Sequence, residues 1–214
     1  FCFGDVRRKG GKRELMANYT ASIEKLIDCL IKLPGIGRRS AERIVAHVLG
    51  ASKEEIKILA ESLSKVKESV RSCQICNNFS EEETCKICQD LSRQKDIVCV
   101  VEKPSDVTAI EKAGNFHGSY HVLLGSISPL EGRGPSDLKI DGLIQRIKQN
   151  SLKEIIIATD ADTEGETTAM YLTKLLKPLG VHLSRIGLGI PVGSNLEYAD
   201  ATTLSKSLES RRTI

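Results

Sequence analysis

The chain has 214 residues, of which 40% are hydrophobic and 28% are charged, with a formal net charge of +3. This composition is typical of a folded globular protein and excludes a wholly disordered chain. No apolar run approaches the roughly 20 residues of a membrane helix, and no N-terminal signal segment is recognisable. We therefore expect an intracellular, cytoplasmic protein without membrane contact. With four Phe, four Tyr and no Trp, it offers few platforms for stacking single-stranded bases.

The first 15 residues differ from the rest of the chain. They are rich in Lys, Arg and Gly and show no helical period. We interpret residues 1–15 as a scar or disordered extension and leave them out of the fold prediction. The alternative is a genuine basic arm around Arg7 and Arg8.

Three helices are predicted in the next segment. Apolar residues recur at three- and four-residue spacing between Ala17 and Lys32, which indicates an amphipathic helix that Pro34 ends. A second helix is predicted over residues 38–49. A capping-box pattern at Ser52 opens a third helix. We assign residues 16–71 to a helical hairpin region.

The second half alternates between strands and helices, which predicts a parallel α/β sheet domain at residues 92–195. A final helix belongs to a C-terminal helical segment at residues 196–214. The fold class is thus α+β in several parts: a helical hairpin region, a cysteine-rich element and the α/β domain. The predicted strands are residues 97–101, 120–124, 155–158 and 181–188, with a long loop at 125–135 and helices at 104–113, 138–149, 164–176 and 201–208.

Four cysteines form two CxxC pairs separated by a short spacer: Cys73, Cys76, Cys85 and Cys88. Two such pairs place four thiolates around one point, which suits tetrahedral Zn²⁺ and leaves no position open for water. The pattern predicts a structural zinc finger at residues 72–91. The alternatives are a disulfide pair or four unrelated cysteines, which an intracellular location disfavours.

Three further cysteines have no partner in the sequence pattern. Cys29 and Cys99 lie in apolar runs, and we expect both to be small core residues. Cys2 lies in the N-terminal extension.

The sequence LPGIG links the first two predicted helices. Gly35 and Gly37 permit a tight turn and close approach to a ligand, and the following helix offers free N–H groups for phosphate. Arg38, Arg39 and Arg43 lie beside this turn, with the last two on one helix face. The pattern resembles a helix-hairpin-helix motif that contacts the DNA backbone. The alternative is an ordinary helical hairpin with a solvated basic face.

Three acidic residues follow two predicted strands. Asp160 and Asp162 come after one strand, and Glu102 follows another. The carboxyl ends of parallel strands meet at one edge of a sheet, and carboxylate oxygens suit Mg²⁺. These residues are therefore candidate magnesium ligands. The spacing supports a second interpretation equally, namely that these residues cap helix N-termini.

Several motifs together resemble the RecR family of recombination mediators, from Met16 to about Arg212. The α/β part resembles a toprim domain. The motifs are the four-cysteine element and the sequences LPGIGRRSAERI, VCVVEKPSDVTAIE, SPLEGRGPSDL, EGETTAMYL and GIPVGSNLEYAD.

The resemblance implies a homotetramer that binds single- and double-stranded DNA in the bacterial cytoplasm, at the nucleoid. It implies assembly with RecO-type and RecF-type partners, loading of RecA on single-stranded DNA, and no enzymatic turnover. Arg39 and Arg43 carry over as DNA contacts, and the four cysteines as zinc ligands. Glu164 and Glu166 are the expected acidic rim for a RecO-type partner.

One departure from the family concerns Asp160 and Asp162, where RecR members usually have an Asn-Pro-type segment. The sequence here is more similar to a catalytic toprim centre, in which Glu102 would be the general acid or base. The alternative function is therefore a metal-dependent toprim nuclease acting on DNA. The loop offers no His or Lys base, which weighs against this alternative.

Overall fold

The computed structural model describes residues 19–149 and 152–211. The predicted extension at residues 1–15 lies outside them. Contacts divide the chain into two compact units, with the boundary between Lys67 and Glu68. Within the described ranges, none of the helices has the length and apolar content of a membrane span.

The first unit contains three helices: α1 (Ala21–Ile31), α2 (Arg38–Gly50) and α3 (Lys53–Ser69). Helices α1 and α2 pack on one another because each carries an apolar stripe at helical spacing. The α3 helix has no buried residue. The small core of the unit is formed by Ile27, Ala41 and Val45, with Ile23, Leu26, Leu30 and Ile36 half-buried against it.

The expectation that Cys29 is a core residue is wrong, because its side chain is exposed. The apolar stripe of α1 runs through Ile23 and Ile27. Cys29 lies two positions beyond Ile27, which places it on the opposite side of a helix with 3.6 residues per turn. Cys99, by contrast, is buried as expected.

The cysteine-rich element opens the second unit. Two very short strands, β1 (Arg71–Ser72) and β2 (Phe79–Ser80), pair antiparallel. A single helical turn, α4 (Lys86–Gln89), follows. The sequence analysis did not predict this ribbon, because two-residue strands carry no hydrophobic period.

A four-stranded parallel sheet forms the centre of the second unit, and the predicted toprim-like α/β fold is confirmed. The strand order is β4-β3-β5-β6. The chain first adds β4 on one side of β3 and then crosses to add β5 on the other side. The strands are β3 (Gln94–Val101), β4 (Gly118–Val122), β5 (Glu154–Ile157) and β6 (His182–Arg185).

Helices cover both faces of this sheet: α5 (Pro104–Ala113) lies on one face, and α6 (Ile140–Gln149) and α7 (Thr163–Leu176) lie on the other. The last helix, α8 (Ala201–Glu209), has no buried residue and contacts α7 through the ion pair of Lys206 with Glu166. Alternate residues of β3 point to opposite faces, as in any strand. Val98 and Val100 contact the core that includes residues of α6 and α7. Cys99 and Val101 contact the core on the α5 side. The continuous apolar run of β3 thus reflects burial on both faces.

Two predicted boundaries differ from the structure. The sequence predicts a last strand that continues to residue 188, but β6 ends at Arg185, because its neighbour β5 ends at Ile157. The last bond of the ladder runs from the Ile186 N–H to the Ile157 carbonyl oxygen at 3.0 Å. The expected loop at 125–135 contains a 3-10 turn, Pro129–Glu131, and a second begins at Pro135. Proline begins both turns because its fixed φ angle suits a first helical position.

Candidate functional site

The linker between α1 and α2 is a tight turn. The Ile36 N–H donates to the Leu33 carbonyl oxygen at 3.2 Å. Pro34 and Gly35 are the two central residues, and Gly35 has a φ of +78°. A positive φ at the third position defines a type II turn, which favours proline before it and glycine there. The LPGIG sequence therefore fixes the angle at which α2 begins.

The N-terminus of α2 is open. Its N-cap is Gly37, which has no side chain that could accept a hydrogen bond from the first turn. The first backbone N–H groups of a helix lack partners within the helix and carry the positive end of its dipole. This end of α2 can therefore accept a phosphate group.

The three arginines predicted as DNA contacts differ in their surroundings. The Arg38 guanidinium lies 3.2 Å from a Glu24 carboxylate oxygen and 3.3 Å from one of Glu42. The charge of Glu24, followed by hydrogen bonds to both carboxylates, raises the pKa of Arg38. Arg38 is thus engaged within the hairpin and stabilises the packing of α1 on α2.

Arg39 and Arg43 have no such partner. Both are exposed, and they line one shallow depression on α2 together with Ser40 and Glu42. The Glu42 carboxylate is paired with Arg38. In the part of the chain that the structure describes, no carboxylate lies within 4.0 Å of either guanidinium. Two unneutralised guanidinium groups therefore lie next to the open helix N-terminus.

The four predicted zinc ligands come together. Their sulfur atoms all lie within 4.8 Å of one another, and the Sγ atoms of Cys76 and Cys85 are 3.5 Å apart. Zn–S bonds of about 2.3 Å place tetrahedral sulfurs roughly 3.8 Å from each other. Cys73, Cys76 and Cys85 are buried and Cys88 is half-buried. The geometry and the donor set therefore fit a closed, structural zinc centre.

Local hydrogen bonds shape this centre. Asn77 has a left-handed φ of 62°, and its N–H donates to the Cys73 carbonyl oxygen at 2.9 Å. The backbone N–H of Cys85 points to the Cys73 sulfur at 3.3 Å. Hydrogen bonds from Cys76 and then Cys88 lower the pKa of Cys85. A thiolate at Cys85 is the form that a metal requires.

The zinc element is hydrogen-bonded to the outer edge of the sheet. The Val122 N–H donates to the Cys76 carbonyl oxygen at 2.8 Å, and the Asn77 side-chain amide donates to the Val122 carbonyl oxygen at 3.0 Å. Val122 belongs to the edge strand β4. An uncovered edge strand invites pairing with other chains, so this contact satisfies and shields it.

Sequence reasoning missed Arg146, which lies on α6 and completes the cover of β4. Its Nη1 donates to the Tyr120 carbonyl oxygen at 2.6 Å, and its Nη2 donates to the Ser119 hydroxyl at 3.1 Å. The sequence could have revealed it, because Arg146 lies three residues after buried Leu143. An amphipathic helix normally carries an apolar residue at that position.

Two of the three candidate magnesium ligands lie close together at the switch point of the sheet. Glu102 is buried, and its Oε1 accepts a hydrogen bond from the Asp160 backbone N–H at 3.0 Å. Burial raises the pKa of Glu102, and the charges of Asp160 and Asp162 act in the same direction. The Asp160 carboxylate itself pairs with Lys103 at 3.4 Å.

Asp162 has a separate role as the N-cap of α7, since its carboxylate accepts from the Gly165 N–H at 2.7 Å. Among the described residues, the four cysteines are the only set of three or more ligating side chains whose ligand atoms lie within 4.8 Å. The three carboxylates are not gathered in this way, and this geometry does not support a magnesium site.

The expected acidic rim consists of Glu164 and Glu166, and one of the two is already paired within the molecule. Glu166 accepts from Arg185 at 3.0 Å and lies 3.4 Å from the Lys206 amine. It therefore ties α7 to β6 and α8. Glu164 is half-buried, and no ion pair of its carboxylate occurs in the described part of the chain.

Four family models match successive parts of the chain. They describe the helix-hairpin-helix of RecR at residues 23–67, the four-cysteine zinc finger domain of RecR at residues 70–90, a Toprim domain at residues 96–187 and the C-terminal part of RecR at residues 189–212. These ranges follow the same order as the elements described above.

Two curated proteins are similar along most of the chain, and both are named Recombination protein RecR. The one from Acidothermus cellulolyticus is 54% identical over 194 residues, which cover 91% of this chain and 98% of that protein. The one from Clostridium perfringens is 49% identical over 199 residues, which cover 93% of this chain and all of that protein.

Proposed function

Because this chain belongs to the RecR family of recombination proteins, we propose that it is a DNA-binding mediator that acts by positioning DNA. Its relatives are named Recombination protein RecR, and the role that we propose for this chain is in recombinational repair. The mechanism needs no chemical step: the hairpin holds the sugar-phosphate backbone, and the second unit presents surfaces for other proteins.

One observation carries the DNA-binding part of the proposal. The open N-terminus of α2, behind Gly37, lies beside the unpaired guanidinium groups of Arg39 and Arg43. Helix N–H groups and arginines bind phosphate oxygens without reading base edges. We therefore expect binding to duplex and single-stranded DNA with little dependence on sequence.

Equilibrium titration of labelled DNA tests this proposal. Arg39→Ala combined with Arg43→Ala should weaken binding at least tenfold, and equally for two duplexes of unrelated sequence. Lys53→Ala combined with Lys67→Ala is the matched control, since it removes the same charge from α3 of the same unit. If the control pair weakens binding as much as the arginine pair, overall charge and not the hairpin holds DNA.

We further propose that the chain assembles with RecO-type and RecF-type partners and helps RecA bind single-stranded DNA. The half-buried carboxylate of Glu164 is the support for an acidic contact with a basic partner. Glu166 is a poorer test residue, because its reversal would also break the pairs with Arg185 and Lys206.

Glu164→Lys should therefore weaken a purified RecO-type complex in calorimetry while DNA binding stays unchanged. Glu83→Lys makes the same charge change on the exposed surface of the zinc element and serves as control. Equal affinity of both variants for the partner would remove Glu164 from the interface.

The proposed homotetramer has support in helix α3. Four of its apolar side chains are more than half exposed, namely Ile58, Leu59, Leu63 and Val66. An exposed apolar face of this kind is typical of a surface that another chain covers. Light scattering should give the mass of four chains, and Leu63→Asp should reduce it. A monomer at all concentrations, with and without DNA, would contradict the tetramer.

The alternative of a metal-dependent nuclease gains no support from the geometry. The carboxylate of Asp162 caps a helix and that of Asp160 pairs with Lys103. We therefore propose no magnesium-dependent step. Cleavage of plasmid DNA by the pure protein with Mg²⁺, abolished by Asp160→Asn, would overturn this view.

A further inference from the structure

Arg146 is a largely buried cation without a carboxylate partner. Its two terminal nitrogens bind the Tyr120 carbonyl and the Ser119 hydroxyl, which are both neutral. Its Nε is buried without a hydrogen-bond partner. In the described part of the chain, no carboxylate lies within 4.0 Å of the guanidinium. A desolvated charge in this state is unfavourable unless another charge compensates it.

The cysteine element lies beside Arg146. Arg146 and Cys88 line the same groove between the zinc element and α6, together with Lys95 and Asp96. The Asp96 carboxylate is already paired with Lys153 at 2.7 Å. Burial lowers the pKa of Arg146, while the sulfurs of Cys88, Cys76 and Cys73 oppose that change. The guanidinium and the cysteine centre therefore share one groove, although the guanidinium makes no direct bond to a sulfur.

Four thiolates around one Zn²⁺ leave a net charge of −2, and three of the four cysteines are buried, so a nearby cation would stabilise the centre. We propose that Arg146 is a positioning residue for the zinc centre: it compensates the negative charge of the zinc-thiolate group and fastens that group to the toprim-like sheet. Its hydrogen bond to Tyr120 lies on the same edge of β4 that Cys76 and Asn77 hold at Val122.

The proposal makes the contribution of Arg146 depend on zinc. With zinc bound, the guanidinium faces negative charge and stabilises the second unit. Without zinc, the thiols can take up protons and lose that charge, and the guanidinium becomes an uncompensated buried cation. The sign of its contribution should therefore change when the metal is removed, which a residue that only donates hydrogen bonds would not show.

Three variants of the full chain test the proposal. Arg146→Met removes the charge but keeps a long side chain, and Arg146→Lys keeps the charge but not the paired hydrogen bonds. Lys148→Met removes a charge from an exposed position on the same helix and is the control. The readouts are the rate of zinc release to a chromogenic chelator and the Tm with zinc and after chelation.

Arg146→Met should release zinc about tenfold faster than the parent chain, the lower end of the usual effect of outer-shell partners. Arg146→Lys and Lys148→Met should stay within about threefold of the parent chain. The Tm of Arg146→Met should be lower than that of the parent with zinc, and equal or higher after chelation.

Unchanged zinc release in Arg146→Met, or an equal loss of Tm with and without zinc, would overturn the proposal and leave Arg146 as a hydrogen-bond donor to β4. If Arg146→Met does not fold, Arg146→Gln takes its place with the same expected results, because glutamine removes the charge but keeps a hydrogen-bond donor. If metal analysis of the parent chain finds no zinc, the zinc premise itself fails, and this outcome is independent of DNA binding.

Discussion

Gly165 shows how one residue fixes the geometry of the toprim-like site. It lies in the first turn of α7, where a Cβ atom would come within 2.1 Å of the Asp160 carbonyl oxygen. Its own N–H is the one that Asp162 caps, and its carbonyl oxygen accepts the Thr159 hydroxyl at 2.8 Å. The glycine thus allows the chain after β5 to fold tightly against the helix that follows.

Gly165→Ala should lower the free energy of unfolding by about 2 kcal/mol or more, because the added methyl group meets backbone that must shift. Urea denaturation measures the change. Gly142→Ala is the control, since its Cβ would make an ordinary contact at 3.4 Å with His121, and alanine is favoured over glycine within a helix. Equal stability of the two variants would contradict the close approach at Gly165.

The contribution of Glu102 to stability should depend on pH, and this dependence gives a second test at the scale of single residues. Burial raises the pKa of Glu102 above its ordinary value of 4.5, so the folded state holds the proton more tightly than the unfolded state. The stabilisation from that proton is fully present below the ordinary pKa and is lost as the pH rises through the folded pKa.

Glu102→Gln should therefore have a higher Tm than the parent chain at about pH 8, and the two should converge near about pH 4. Glutamine keeps an oxygen for the Asp160 N–H. Glu111→Gln should act in the opposite direction, because the hydrogen bond from Arg93 lowers the pKa of Glu111. A difference between Glu102→Gln and the parent chain that does not change with pH would exclude titration of Glu102 as its cause.

At the scale of single elements, hydrophobic period and turn residues predict most helices and strands, while their ends depend on neighbours. The sequence predicts that helix α2 begins at Arg38, and it does so, because the backbone of Gly37 is extended, with a φ of −84° and a ψ of 169°. The predicted end of β6 is wrong because it depends on where β5 stops. The ribbon of β1 and β2 is held by the cysteine element and has no period of its own.

Helix α7 gives a test of the capping role of Asp162. Asp162→Ala should lower the free energy of unfolding by about 1 kcal/mol, as is usual for the loss of an N-cap. Asp162→Asn keeps an acceptor for the Gly165 N–H and should lose much less. Thermal melts with and without Mg²⁺ measure both effects. A rise in Tm with Mg²⁺ that Asp162→Asn abolishes would show that the carboxylate binds metal and does not merely cap the helix.

At the scale of the whole molecule, local sequence predicts the separate structural elements, whereas tertiary packing determines which partners the side chains contact. The cysteine spacing predicts the metal centre because its four ligands lie within one short segment. The contact of Arg146 with β4 joins segments that are far apart in the sequence. No local sequence pattern therefore predicts which groups lie near this guanidinium. In the same way, three arginines that are similar in sequence become one residue paired with Glu24 and two unpaired ones.

The division into two units fits the proposal that the contact with DNA and the contact with a RecO-type partner lie in different units. The first unit carries the open end of α2 and its two unpaired arginines. The second unit carries the zinc element, the sheet and the carboxylate of Glu164. Arg39→Ala with Arg43→Ala should therefore leave binding of a RecO-type partner intact, and Glu164→Lys should leave DNA binding intact.

The salt dependence of DNA binding tests the central claim most directly. Binding that neutralises phosphates releases counterions, so the logarithm of the affinity falls linearly with the logarithm of salt concentration, by about 0.9 per phosphate contact on duplex DNA. If Arg39 and Arg43 each contact a phosphate, replacing both with alanine should make that slope shallower by about 1.8 for each bound chain. An unchanged slope and affinity would contradict the account, since DNA would then be held by another part of the chain.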